Sequence, residues 1–107
     1  MIFANHNTSV NFIGTSNFIN NSADDGGAIS AHHNASVNFI GTSNFINNSG
    51  TLGGAINARY NTSLSFTGTS NFINNSARAG GIFAIDSTLS FTGYLSILRT
   101  QYKKPPY

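Results

Sequence analysis

The chain of 107 residues has no cysteine, no tryptophan and only two prolines, and charged residues make up 7% of it. A typical soluble domain contains about 25% charged residues, so solubility here depends on neutral Asn, Ser, Thr and Gly. The absence of cysteine excludes disulfides and thiolate metal sites. The hydrophobic content of 39%, with nine Phe, is ample for a core and unlike that of disordered chains.

Basic charge is concentrated at one end of the sequence. The formal net charge is +2, but Arg99, Lys103 and Lys104 lie in the last nine residues. Without these three residues, the remaining charges are those of Arg59, Arg78 and three Asp, which give a net charge of −1. Nucleic-acid binding requires a basic face that makes many phosphate contacts. We therefore expect no nucleic-acid partner.

Long hydrophobic runs are also missing. No apolar segment approaches the roughly 20 residues of a membrane-spanning helix, so we expect no membrane span in this chain. The first residues, MIFANHNTSVNFIG, lack the basic and apolar regions of a secretory signal peptide. If the protein is exported, we expect the export signal to lie outside this sequence.

What the sequence does contain is a repeat. The nonapeptide GTSNFINNS occurs at Gly14–Ser22, Gly41–Ser49 and Gly68–Ser76, with a period of 27 residues. A fixed period of this size is typical of repeat architectures, in which each unit packs on the next. The chain divides into repeats over 1–93 (half unit 2–13; units 14–40, 41–67 and 68–92) and a non-repeat tail, 94–107. The last unit is two residues shorter, a loss that we assign to the region around Asp86.

Apolar residues alternate with polar ones, as where Val37 and Phe39 flank Asn38. A period of two predicts β-strands. We place three short strands in each unit, around 17–20, 28–31 and 36–39 in the first. If each strand pairs in parallel with its equivalent one rung away, the fold is an all-β parallel β-helix (β-solenoid) of about three rungs.

Stacked rungs bring equivalent residues together at about 4.8 Å. The predicted columns are Phe18, Phe45 and Phe72; Phe12, Phe39, Phe66 and Phe91; Ile29, Ile56 and Phe83; and Asn21, Asn48 and Asn75. The Asn amides are expected to hydrogen-bond along their column. The Gly pairs, such as Gly53–Gly54, suit a sharp turn with positive φ.

Candidate catalytic groups are few. Polysaccharide hydrolases and lyases need clustered carboxylates, or a bound cation with basic partners. The adjacent acids Asp24 and Asp25 have Thr51 and Arg78 among their column partners, and Asp86 falls in a different loop. We therefore expect no enzymatic activity, no catalytic residue and no cofactor. The alternative is a fragment of a carbohydrate-active β-helix protein whose active rungs lie elsewhere.

Other polar positions also repeat. Two neighbouring columns contain His6, His33 and Tyr60, and Asn5, His32 and Arg59. Two imidazoles supply only two metal ligands, so exposed loop histidines are expected rather than a metal site. Glycosylation sequons occur at Asn7, Asn20, Asn34, Asn47, Asn61 and Asn74. In a secreted eukaryotic protein we expect Asn7, Asn34 and Asn61 to be acceptors, because the other three would crowd the stack.

The pairing of F-x-x-N with G-G-A-I resembles the repeats of chlamydial polymorphic outer membrane proteins. It occurs as Phe18–Asn21 with Gly26–Ile29 and as Phe45–Asn48 with Gly53–Ile56, whereas the third unit reads GGIF at 80–83. The resemblance covers about residues 2–93. It implies a right-handed parallel β-helix, the passenger of an autotransporter, located at the cell surface, at the outer membrane or secreted, and acting as an adhesin.

We favour the hypothesis that the chain is a non-enzymatic module that presents loops to a protein or glycan ligand on another cell surface. Ice binding by Thr15, Thr42 and Thr69 is less favoured, because no second regular Thr column lies beside them. Open strand edges predict pairing with further β-helix rungs of a longer chain, or self-association. The tail 94–107 is a cap or the result of truncation, and we favour truncation because the sequence also begins within a unit.

Overall fold

The computed structural model describes residues 2–24, 27–77, 81–98 and 102–103. Within these ranges the chain forms β-strands and turns, without helix. The strands are β1 (Ile2–Asn5), β2 (Ser9–Ile19), β3 (Ser22–Ala23), β4 (Ile29–His32), β5 (Ser36–Ile46), β6 (Ser49–Gly50), β7 (Ile56–Arg59), β8 (Ser63–Ile73), β9 (Ser76–Ala77), β10 (Ile82–Ile85), β11 (Thr88–Leu98) and β12 (Tyr102–Lys103).

The strands form three sheets, with the orders β1-β4-β7-β10-β12, β2-β5-β8-β11 and β3-β6-β9. Every pair is parallel, and all except β10–β12 join equivalent residues of successive rungs, as in Val10↔Val37 and Ile29↔Ile56. The predicted fold class is confirmed: the chain is a parallel β-solenoid of about three rungs, with three strands per rung.

The division of each rung into strands differs from the prediction. The expected strands around 36–39 and 44–47 are one strand of 11 residues, β5, which continues through Gly41. Gly41 has φ +114°, a conformation that L-residues rarely adopt, and a Cβ there would collide with the carbonyl oxygen of Gly14. The glycine therefore lets the strand bend without leaving its ladder. The third strand of each rung is a two-residue segment, such as Ser49–Gly50, which the sequence pattern did not indicate.

The Gly pair has a different physical reason from the one predicted. Gly27, Gly53 and Gly54 are not among the residues with positive φ. Instead, a Cβ on Gly54 would collide with the backbone of Ser76 in the next rung. Glycine is required here because two backbones approach closely. Gly26 and Gly80 lie outside the described residues.

Two columns of Phe rings fill the core. Phe39 and Phe66 stack with centroids 4.6 Å apart, and Phe45 and Phe72 at 4.7 Å. Rings of different columns meet edge to face, at 5.8 Å between Phe39 and Phe45. Both arrangements suit the quadrupoles of aromatic rings, and full burial of each ring contributes about 1.5–3 kcal/mol.

The Ile column ends differently from the prediction. Ile29 and Ile56 continue to Ile82, which is 1% exposed, whereas Phe83 lies opposite Asn57 and is only partly buried. The prediction that Phe83 continues this column is wrong because one of the two lost residues precedes Ile82. The carbonyl of Gly81 accepts from the Ile56 amide, as that of Ala55 does from Ile29.

The second missing residue lies between β10 and β11, in the shortened turn at Asp86. The first five residues of the tail continue β11, with Tyr94 opposite Thr69 and Ile97 opposite Phe72. Residues 99–101 and 104–107 of the tail lie outside the described residues. No helix long and apolar enough to cross a membrane occurs in the described ranges.

Candidate functional site

An unusual backbone conformation recurs where the chain enters each long strand. In the turn between β4 and β5, His33 and Asn34 have φ of 62° and 66°. The left-handed region is costly for bulky side chains and is tolerated best by Gly, Asn and Asp. We name the residues at this position in the three rungs the turn ladder: His6, Asn7, His33, Asn34, Tyr60 and Asn61, all with φ between 56° and 66°.

Backbone hydrogen bonds fix each turn on the next. The amide of Asn7 donates to the carbonyl of His33, and that of Asn34 to Tyr60, both at 3.0 Å. The amide of Asn61 donates to Asp86 at 2.8 Å. The conformational cost of each turn, on the order of 1–2 kcal/mol per left-handed residue, is therefore offset between rungs. The turn ladder is consequently a regular part of the solenoid.

Hydroxyl groups close two of these turns. Thr62 Oγ1 donates to the carbonyl of Arg59 at 2.8 Å, and Thr8 Oγ1 donates to that of Asn5. This local bond satisfies the last carbonyl of the preceding strand and competes with a continued strand. The middle rung has Ala35 at this position, buried and without a hydroxyl, so its turn depends on its neighbours above and below.

The rings of the turn ladder stack along the solenoid axis. His6 and His33 are nearly parallel, with centroids 4.8 Å apart, and His33 and Tyr60 follow at 4.7 Å. Their spacing is set by the distance between strands. The stack lies at the surface: His6, His33 and Tyr60 are all exposed, Tyr60 to 47%.

A groove of about 240 Å³ runs along the turn ladder and is lined by its six residues. Asn7, Asn34 and Asn61 are exposed beside the rings. Each carboxamide offers two N–H donors and an acceptor oxygen. The groove therefore combines aromatic edges with regularly spaced amides.

The column next to the ring stack adds further polar groups. Asn5, His32 and Arg59 are in register on β1, β4 and β7. The Nδ1 atoms of His32 and His33 are 2.7 Å apart, and His33 Nδ1 is 3.2 Å from Asn5 Oδ1. The guanidinium carbon of Arg59 lies 5.4 Å from the Tyr60 ring centroid, within cation–π range.

The predicted Asn column forms a hydrogen-bonded ladder at the turn that follows each of the long strands β2, β5 and β8. Asn48 Nδ2 donates to Asn75 Oδ1 at 2.8 Å, and Asn21 Nδ2 to Asn48 Oδ1 at 3.0 Å. Asn48 and Asn75 are completely buried. Because buried amides need partners, this column holds the fold and is not a binding site.

The acidic residues are spread over different turns. Asp24 and Asp86 are exposed, after β3 and after β10, and Asp25 lies outside the described residues. No group of three His, Cys, Asp or Glu residues within the described ranges could hold a metal ion.

The sequons do not divide as expected. Asn7, Asn34 and Asn61 are exposed, but so are Asn20, Asn47 and Asn74, which have φ between 55° and 58°. Exposure therefore does not separate the two sets, and the choice of Asn7, Asn34 and Asn61 as acceptors stays a prediction. Sequence reasoning also missed the groove, although its signal was present as a dipeptide before each of the long strands β2, β5 and β8, namely His6-Asn7, His33-Asn34 and Tyr60-Asn61.

This architecture defines a parallel β-solenoid repeat protein. Comparison of the chain with protein-family models, curated proteins and solved structures finds no match. The resemblance to the chlamydial repeats is therefore supported at the level of the solenoid fold alone.

Proposed function

We propose that the chain is a non-enzymatic, adhesin-like binding module, displayed on a cell surface or secreted, and that it binds a glycan through the turn ladder. The observation that supports this most directly is the groove itself. Its six lining residues come from three rungs and repeat at the inter-rung spacing.

The chemistry of the groove suits carbohydrate. Binding sites for small polar molecules combine apolar or aromatic surface with a few placed polar groups. The amides of Asn7, Asn34 and Asn61 can donate hydrogen bonds to sugar hydroxyls and accept them. The edges of the stacked rings, and the outer faces of the first and last ring, contact the apolar side of a sugar. The neutral surface of a chain with 7% charged residues favours a neutral ligand over a highly charged one.

The groove is also rigid and periodic. Inter-rung hydrogen bonds at 3.0 Å hold Asn7 and Asn34 in place before any ligand arrives, which lowers the entropy cost of binding. Because the same pair of groups recurs in each rung, the groove matches a ligand that itself repeats. A polysaccharide with several equivalent units meets this requirement.

The proposal is tested by glycan-array screening of the 107-residue chain, followed by calorimetry with the strongest ligand. The variants are His33→Gly and Asn34→Gly, because glycine accepts the left-handed backbone without strain. We expect at least a tenfold loss of affinity for both. The matched control is Asn44→Ala, which removes an amide from the outward ladder formed with Asn17 and Asn71.

Two outcomes would contradict the proposal. One is equal glycan binding by the wild type and both glycine variants. The other is release of reducing ends from the bound polysaccharide that disappears in Asp24→Asn, which would favour a carbohydrate-active enzyme.

A further inference from the structure

We propose that Asn5, His32 and His33 form a binding site for Cu²⁺ beside the turn ladder. This inference does not depend on glycan binding. The site uses two imidazoles from adjacent positions of one rung and an amide oxygen from the rung before it. Imidazole nitrogen is a preferred ligand of Cu²⁺, Ni²⁺ and Zn²⁺.

The solenoid brings the three donor atoms together in two ways. In-register pairing of β1 with β4 places Asn5 directly opposite His32. The left-handed conformation of His33, with φ 62°, then places its ring at the end of the same strand. As a result, His32 Nδ1 lies 2.7 Å from His33 Nδ1, which is 3.2 Å from Asn5 Oδ1.

Neighbouring rings fix the orientation of both imidazoles. His33 is stacked between His6 and Tyr60, at 4.8 and 4.7 Å. His32 makes an edge contact with Phe3 at 5.0 Å. The two ligand rings therefore cannot turn away from each other without breaking these contacts, and the ligand pair is preorganised.

The distances favour tetragonal over tetrahedral coordination. With metal–nitrogen bonds of about 2.1 Å, two nitrogens 2.7 Å apart subtend about 80° at the metal. The separation of 3.2 Å to the amide oxygen subtends about 100°. Both are near 90°, whereas tetrahedral Zn²⁺ would need donors about 3.4 Å apart. Tetragonal N,O sites suit Cu²⁺ and Ni²⁺, and Cu²⁺ binds more tightly.

The proton balance of the site is simple. In the neutral pair, one ring carries its proton on Nδ1 and donates a hydrogen bond to the Nδ1 lone pair of the other ring. On metal binding, the donor ring moves its proton to Nε2, both Nδ1 lone pairs bind the ion, and no net proton is released. Water completes the coordination. The positive charge of Arg59, next to His32 in register, opposes the ion and limits the affinity.

The test is calorimetric and electron paramagnetic resonance titration of the untagged 107-residue chain with CuCl₂. We expect one Cu²⁺ per chain, a tetragonal spectrum with nitrogen coupling, and at least tenfold weaker binding of ZnCl₂. His32→Ala and His33→Gly should each weaken Cu²⁺ binding at least tenfold. Asn5→His, which replaces the oxygen by a third imidazole, should tighten it at least threefold, a gain that misfolding cannot produce.

Asn44→Ala is the control, because it removes a side chain of the outward ladder with Asn17 and Asn71, outside the proposed ligands and the rings stacked on them; it should keep copper binding within threefold. Circular dichroism without metal checks that each variant retains the β-fold. The proposal is overturned if the wild type binds no Cu²⁺, if His32→Ala and His33→Gly bind it like the wild type, or if Zn²⁺ binds as tightly as Cu²⁺. Loss of glycan binding without loss of copper binding would affect the proposed function alone.

Discussion

Asn48 donates one hydrogen bond from Nδ2 to Oδ1 of Asn75, at 2.8 Å, and a second to the carbonyl of Phe18, at 3.0 Å. The Asn75 oxygen also accepts from the backbone amide of Asn48, at 2.9 Å. One buried carboxamide therefore joins its own rung to the rungs above and below. Because buried polar groups without partners are costly, this column holds successive rungs in register.

Replacement of Asn48 by Ala should destabilise the chain strongly. It removes the Asn48 side chain as a partner of the Phe18 carbonyl and of the Asn21 amide, whereas the Asn75 oxygen keeps the backbone amide of residue 48. At about 1–3 kcal/mol for each such group, we expect a loss of roughly 3–5 kcal/mol in the free energy of unfolding, measured by urea denaturation.

The matched control for this change is Asn44→Ala in the solvent-facing ladder. Its amide donates to Asn17 at 2.8 Å, but water can replace that partner, so we expect a loss of about 1 kcal/mol or less. Equal losses at Asn44 and Asn48 would show that burial does not determine the strength of these ladders.

The Ile column gives a second prediction, which tests the register of the last rung. Ile82 is buried at 1% exposure opposite Ile56, whereas Phe83 lies opposite Asn57. We expect Ile82→Ala to cost about 2–4 kcal/mol, as is usual for a core Ile. Phe83→Ala should cost about 1 kcal/mol, although it removes the larger side chain. A greater loss for Phe83→Ala in thermal unfolding would support the register predicted from the Gly pairs.

The error at Phe83 shows where sequence reasoning stops. Identical units need identical surroundings, so the period of 27 was enough to predict the parallel solenoid and its Phe stacks. A residue can be lost at any position of a variable loop, however. The pattern G-G-x-x therefore did not reveal that Gly81 occupies the position that Ala55 has in the rung before. Hydrogen bonds between rungs decide that register, and they are not visible in one sequence.

Part of the candidate site was predictable from the sequence. The column of His6, His33 and Tyr60 follows from the period alone. The groove depends on the left-handed backbone at His33 and Asn34, which turns side chains of adjacent positions to the same surface. No residue type in the pattern forces this conformation, since His and Tyr adopt it only at a cost.

The bend of the long strand provides a third prediction. At Gly41, φ is +114° and a Cβ would collide with the Gly14 carbonyl oxygen. Gly14 has a similar φ of +97°, but a Cβ there would meet nothing within 4 Å. We expect Gly14→Ala to cost about 1–2 kcal/mol through backbone strain alone and Gly41→Ala to cost clearly more. Chemical denaturation of both variants measures the difference, and equal losses would show that backbone strain, not contact between rungs, selects glycine.

The edge strand β2 leads to the last prediction, that the 107-residue chain associates with itself. In the sheet order of the described strands, β2 is terminal, yet its sequence, SVNFIGTSNFI, is identical to that of β5, which pairs on both sides. An edge that already matches a doubly paired strand is suited to accept another strand.

We expect sedimentation velocity to show species that grow with protein concentration. Asn11→Lys with Ile13→Lys, both on exposed positions of this edge, should shift the chain towards monomer, because lysine on an edge strand opposes the addition of another strand. The matched double variant Asn38→Lys with Ile40→Lys, in the central strand β5, adds the same charge away from the edge and should leave association unchanged. A wild-type chain that remains monomeric over the whole concentration range would contradict the prediction.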